Sequence, residues 1–282
     1  MPPAFELSPR AELRAAWAIA RKELQIARRY PLQLSNEVLQ PLYQFLLPSL
    51  LLGATFFVGG RAVGLELLTG TDDLVGYLFL GMVVGGLVGT AFWDMGFGLK
   101  REMDAGTLEP AWLTPTRPET QVLSRAISGL IVAGGASVVL IGIGLVIFGA
   151  TLGGAMLLAV PALGLAAFSM VGIGYLIAAA VLVIKEPNFF VDATNFMFAM
   201  ASGVAFPVVV LPWFIEPIAY VLPTTYAVDL LRVYALGTRP LVDPALEWLL
   251  LAGFAALTIW LGRAVFLRTE HRMRVRGTLG QH

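Results

Sequence analysis

Long apolar runs separated by short polar ones occupy most of this chain. A hydrocarbon layer about 30 Å thick needs roughly 20 apolar residues of helix at about 1.5 Å rise each. Runs of that kind predict six membrane-spanning helices, at 38–58, 74–99, 122–149, 157–184, 193–211 and 245–266. Ahead of them, Leu13, Trp17, Ala20, Leu24 and Ala27 recur every three or four residues, while Arg14, Arg21, Lys22, Arg28 and Arg29 fill much of the remaining circumference. That pattern predicts an amphipathic helix over 10–30, lying in the headgroup plane and ended by Pro31. The fold class is therefore all-α integral membrane protein. Residues 1–34 form a cytoplasmic N-terminus, 35–267 the membrane domain, and 268–282 a basic cytoplasmic tail.

The stretch 212–244 breaks this regularity. Pro212, Pro217 and Pro223 oppose a single spanning helix, although Trp213, Phe214, Ile218, Tyr220, Val221 and Leu222 are apolar. Short re-entrant or interfacial helices fit an external hairpin here, because irregular backbone at membrane depth must be buried in protein. A helix after Pro223 places Tyr226, Leu230 and Val233 on one side, with Asp229 and Arg232 as a local ion pair.

Composition agrees with the pattern. The chain is 57% hydrophobic and 13% charged, with mean hydropathy +0.78, far from a soluble domain of this size. With no cysteine, disulfides, iron–sulfur clusters and thiol catalysis are excluded. Glu6, Glu12 and the lack of an early apolar core argue against a cleaved signal peptide.

Net charge is zero, but its distribution is not even. Sixteen Lys and Arg fall before the first span, in 100–125, at 185–192 and from Arg263 onward, against three (Arg61, Arg232 and Arg239) on the opposite side. Both termini are expected in the cytoplasm.

Chemistry is sparse. Both histidines, His271 and His282, lie in the tail, and no G-x-x-x-x-G-K-[ST], H-E-x-x-H or G-x-S-x-G is present. No catalytic or metal site is expected. Gly81, Gly85, Gly86 and Gly89 read as a helix-packing stripe, and Asp72-Asp73 as a solvated cap. Glu37, Asp94 and Asp192 lie near span ends, so no acid or base is expected at mid-depth, which disfavours a proton- or sodium-coupled carrier.

The polar segment 100–121 carries its own punctuation. Gly106 can stop the helix leaving the second span, and Thr107 can cap a short helix bearing Leu108, Glu109, Ala111, Trp112 and Leu113. Thr114-Pro115 ends it, and Thr116 with Glu119 forms a capping box for the third span, Pro118 in its first turn. Trp112 and Leu113, read as exposed, suit a docked partner better than a bare connector.

Arg101, Glu102, Gly106, Thr107, Leu108, Glu109, Thr114 and Pro115 resemble the cytoplasmic loop of ABC-2 type transporter permeases, of rough form E-R-E-x-G-T-L-E-x-L-x-x-T-P. The chain departs from that form at Asp104-Ala105 and Pro110. A second block is similar to the external hairpin of the same permeases: Gly203, Phe206-Pro207, Leu211-Pro212-Trp213, Pro223, Tyr226, Asp229 and Leu231-Arg232.

The resemblance implies the membrane subunit of an ATP-driven exporter, paired with a second permease subunit, expected to be an identical copy. Two cytosolic ATP-binding-cassette ATPases would dock on the 100–121 loop and carry the ATP and magnesium; this chain would bind no cofactor. Arg14, Trp17, Arg21 and Glu23 would brace that contact. A path between the two copies, along the first, second and fifth spans, makes Tyr77, Phe92, Trp93, Phe196, Met197, Met200 and Phe206 its candidate lining. Core or lipid-facing residues would give the same pattern. The cargo implied is a hydrophobic or amphipathic small molecule, as in the drug-resistance and nodulation-factor exporters, with a lipid-linked polysaccharide or glycolipid as the alternative. The location implied is the plasma membrane of a bacterium or archaeon, with no nucleic-acid partner. A nucleotide-independent carrier or channel, or a membrane enzyme, are the readings of other classes. The first should transport without nucleotide, and the second needs an inward polar cluster.

Overall fold

Asp73 starts the first long helix by accepting the Gly76 N–H at 2.7 Å, and the helix then continues for 31 residues. The structure, a computed structural model, describes residues 8–47, 57–58, 61–184 and 186–276. Its helices are α1 (Pro9–Arg29), α2 (Pro31–Pro41), α3 (Val63–Thr69), α4 (Leu74–Asp104), α5 (Leu108–Trp112), α6 (Pro118–Val146), α7 (Gly154–Val183), α8 (Pro187–Ala201), α9 (Glu216–Ala219), α10 (Pro223–Leu236) and α11 (Pro244–Arg276). A two-residue antiparallel pairing, Phe57–Val58 with Arg61–Ala62, precedes α3.

Four described helices, α4, α6, α7 and α11, are long and apolar enough to cross a membrane. They match the expected second, third, fourth and sixth spans. The expected first span lies partly outside the described residues; its start is α2 followed by a π-helical turn at Leu42–Leu46. The expected fifth span, 193–211, is corrected. It is the 15-residue α8, starting earlier at Pro187 and ending at Ala201. Gly203 then adopts φ +76°, and Pro207 cannot donate to a continued helix.

Close packing of backbone on backbone joins α7 to α11. A Cβ on Gly172 would lie 2.3 Å from the Thr258 carbonyl carbon, and one on Gly262 would lie 2.0 Å from the Gly172 oxygen. Only glycine allows that approach. Around it, Phe92, Met95, Met170, Leu182, Leu230 and Phe266 are fully buried and belong to one continuous core.

The amphipathic helix is present, as Pro9–Arg29. Pro31 does not merely stop it; that residue also begins α2 at its first position, where a missing N–H costs nothing. Ala16 and Ala20 face the protein, while Leu13 and Trp17 are 68% and 54% exposed. Small side chains let α1 lie directly against α6, which leaves the bulky apolar ones on the outside.

The external hairpin is also corrected in one detail. Asp229 and Arg232 do not form a local ion pair among the described residues. Asp229 instead accepts the Leu241 N–H at 2.8 Å. The Arg232 guanidinium, 3% exposed, donates to the carbonyls of Tyr77 (3.0 and 3.1 Å), Gly203 (2.7 Å) and Val204 (2.8 Å). It also stacks 3.4 Å above the Tyr77 ring. A buried guanidinium needs all its donors used, and three carbonyls from two elements supply more acceptors than one carboxylate could.

Candidate functional site: the cytosolic bend and its bracing

The bend between α4 and α6 is built as a tip on struts. The helix α4 stops when Gly106, at φ +65°, allows the Thr107 N–H to reach back to the Glu102 carbonyl at 3.0 Å. Thr107 does not cap α5 with its hydroxyl as expected; its Oγ1 also donates to the Glu102 carbonyl, at 3.3 Å. Pro110 is accommodated because it falls in the first turn of α5, where no intrahelical donor is needed.

Inside the bend, Leu108 and Trp112 are buried at 2% and 5% exposure. The expectation of an exposed Trp112 is therefore corrected: its indole fills the core between α5 and the span ends. Leu113 is 82% exposed, and Glu109, Pro110, Thr114 and Pro115 are exposed beside it. Arg101 is exposed as well, whereas Glu102 is half-buried. Of the sequence-derived contact set, Glu109, Leu113, Thr114 and Pro115 share the outer surface, while Leu108, Trp112 and Glu102 act behind it.

Glu102 forms an ion pair with Arg125 of α6, whose side chain is 10% exposed. That contact ties the end of α4 to the start of α6 across the bend. The Gln121 amide donates to the Ala111 carbonyl at 2.8 Å, and Thr114 Oγ1 donates to the same carbonyl at 2.7 Å. The expected capping box of Thr116 and Glu119 does not form. Arg117 is the N-cap residue of α6, and Glu119 turns instead to Arg263 of α11, accepting at 2.7 and 3.2 Å. Tyr175 of α7 donates to the Glu119 carbonyl at 3.1 Å.

The N-terminal helix joins this assembly through Glu12, which accepts from Thr120 Oγ1 at 2.6 Å and lies 3.9 Å from Arg117. Of the four bracing residues expected, Arg14 donates to the Arg10 carbonyl at 3.4 Å and Glu23 pairs with Lys22 at 3.0 Å. Trp17 faces outward, and Arg21 lines a groove along α6. The sequence had no local signal for the partners that Glu12, Glu119 and Arg125 find, because those partners lie elsewhere in the chain.

The candidate path residues do not converge on one surface. Tyr77 and Phe92 are core, Phe92 meeting the Phe198 ring at 5.7 Å. Phe196 and Met197, 56% and 59% exposed, face away from the bundle on α8, and Trp93, Met200 and Phe206 are half-buried. In the hairpin, Pro223 and Tyr226 are buried and Tyr226 donates to the Tyr220 carbonyl at 2.6 Å. Trp213 is 83% exposed, Pro212 is exposed, and Pro207 is half-buried. No group of three or more potential metal ligands occurs among the described residues.

Comparison with known proteins gives one finding about the family. A family model described as ABC-2 type transporter matches residues 14–236. That interval contains most of the amphipathic helix, the cytosolic bend and the hairpin helix α10. No match is found among the curated proteins.

Proposed function

The chain belongs to the ABC-2 type transporter family, and from that premise we propose that it is an exporter subunit driven through the bend between α4 and α6. As a member it is a multi-pass membrane permease subunit that works with an ATP-binding-cassette ATPase. The finer reading is as follows. Six spans cross the plasma membrane of a bacterium or archaeon, α8 and the segment after α2 completing the count, with α9 and α10 as external re-entrant helices. Both termini face the cytoplasm. Two copies pair, each gripped by one ATPase that holds the ATP and magnesium, and an amphipathic small molecule moves outward at the interface between copies.

The observation that carries this reading is the contrast within α5. An apolar, solvent-facing Leu113 stands beside Glu109 and Pro115, on a base fixed by buried Leu108 and Trp112. Isolated exposed leucines need no explanation, but this one sits at the tip of a bend braced by the Glu102–Arg125 ion pair. Push on the tip therefore reaches α4 and α6 together, and α11 through Glu119 and Arg263.

Leu113→Asp in the full chain tests it, because the change leaves the buried struts untouched. Co-purification with the ATPase should weaken at least tenfold, the effect of about 1.4 kcal/mol, and ATPase stimulation should fall with it. Unchanged binding and stimulation would show that the motor does not grip here.

A further inference from the structure

Behind the bend lies a cavity of about 390 Å³ lined by α1, α2, α4 and α6. Its walls carry seven charged residues, and four of them pair with one another. Lys22 pairs with Glu23 at 3.0 Å, and Arg125 pairs with Glu102. What remains on the lining is two carboxylates, Asp94 and Glu37, against one cation, Arg101. Among the described residues neither carboxylate has a hydrogen-bonded or ion-paired partner.

The position of Asp94 is built rather than incidental. It sits in the π-helical segment Thr90–Phe97 of α4, a backbone irregularity that redirects side chains and recurs at functional sites. Its Oδ2 occupies the space a side chain on Gly129 of α6 would take, since a Cβ there would lie 2.1 Å away. Removing that Cβ lets the carboxylate lie against α6 within the cavity.

The cavity opens into a groove of about 730 Å³ whose lining shares Leu24, Leu34, Glu37 and Val132 with it. Farther along, the α6 wall of the groove is apolar, with Ile131, Gly135 and Val139, while Arg21 and Arg28 line its α1 side. Ile131 and Val139 are 46% and 50% exposed, and nothing lies within 4 Å of a Cβ on Gly135. Both volumes fall in the roughly 300–1,000 Å³ range of small-molecule sites, and both greatly exceed a bare ion. The two unpaired carboxyl groups in the cavity and the apolar α6 wall of the groove complement a ligand with a cationic head and a hydrocarbon body.

We propose that this cavity and groove bind the protonated amine of an amphiphile, its nitrogen between Asp94 and Glu37 and its tail along α6. An ammonium head both donates to two carboxylates and offsets their charge. An anionic head would meet Arg101 in the cavity and Arg21 and Arg28 along the groove, and so would sit away from Asp94 and Glu37. The inference rests on the transporter reading in one respect, in that it names the chemical class of the cargo; the binding itself requires neither ATP nor the ATPase.

The test uses the full chain in phosphatidylcholine nanodiscs without nucleotide, measuring saturable binding of radiolabelled dodecylamine at neutral pH, with dodecanol and dodecyl sulfate as controls. Saturable binding is expected for the amine and for neither control. Asp94→Asn with Glu37→Gln should weaken it about tenfold or more, the size of one charge-assisted hydrogen bond. Arg101→Gln should tighten it severalfold by removing the opposing cation, a gain that misfolding cannot imitate.

Including phosphatidylethanolamine in the disc separates two sources of the same chemistry. Competition by that lipid marks a headgroup as the occupant, and its absence marks a free amphiphile. Equal binding of amine and sulfate, indifference to loss of both carboxylates, or no saturable binding, as when a second copy fills the groove, would overturn the inference. A chain that fails here yet still stimulates its ATPase loses only this inference, whereas one that binds the amine but ignores the ATPase loses only the coupling reading.

Discussion

Arg232 gathers carbonyls from two otherwise separate places, Tyr77 on α4 and the Gly203–Val204 turn after α8. Gly81 makes that possible, because a Cβ there would lie 1.9 Å from the Val204 oxygen. Lysine keeps the charge but lacks the planar fork, so Arg232→Lys should cost about 3 kcal/mol, one or two charge-assisted bonds. Gly81→Ala should cost about 1–3 kcal/mol by overpacking. Denaturant unfolding in detergent reads both, and a wild-type midpoint for either would refute the geometry. Residue-level contacts of this kind were largely invisible in the sequence. Asp229 and Arg232 have i,i+3 spacing that suggests a local pair, and Thr116 with Glu119 matches a capping box. In both cases a more distant partner won: the carbonyls above, and Arg263 for Glu119. Burial explains the first, since a desolvated guanidinium needs every donor satisfied.

Whole elements were far more legible than side-chain partners. The four helices found long enough to span start and end within a few residues of expectation, except that α4 runs past 99 to Asp104 and α11 past 266 to Arg276. Length and hydropathy set these, and neither needs tertiary information. The exception is α8, where an apolar run continues beyond Ala201 but the backbone turns at Gly203; hydropathy averages are blind to such a turn. Within the bend, sequence placed the short helix and the glycine that ends α4 but reversed Trp112, since five residues offer too little periodicity to tell its faces apart. Its bracing makes a second stability expectation. Glu102→Ala strands a guanidinium that is largely buried, so it should destabilise by about 3 kcal/mol. Glu102→Ala combined with Arg125→Leu should recover most of that loss. Breaking the more exposed Glu119–Arg263 pair by Glu119→Gln should cost under about 1 kcal/mol. A double-mutant cycle gives the comparison; additivity of Glu102 and Arg125 would mean that α4 and α6 are not coupled there.

At the scale of the molecule, the proposed topology puts the bend and the external hairpin on opposite sides of the membrane. The charge asymmetry of sixteen against three is the only sequence argument for that, and it is a strong one. The absence of cysteine makes it directly measurable. In intact cells a membrane-impermeant thiol reagent should label Trp213→Cys and should label Leu113→Cys only after the membrane is opened. The reverse pattern would invert the topology.

The central claim is that force enters through the tip at Leu113, and a short cross-linker tests it most directly. With Leu113→Cys as the sole cysteine in the permease, and the ATPase expressed beside it, the expected product is a covalent permease–ATPase adduct, absent for Trp213→Cys. Assembly of an active complex in which Leu113→Cys stays freely reactive and never joins the ATPase would contradict the account.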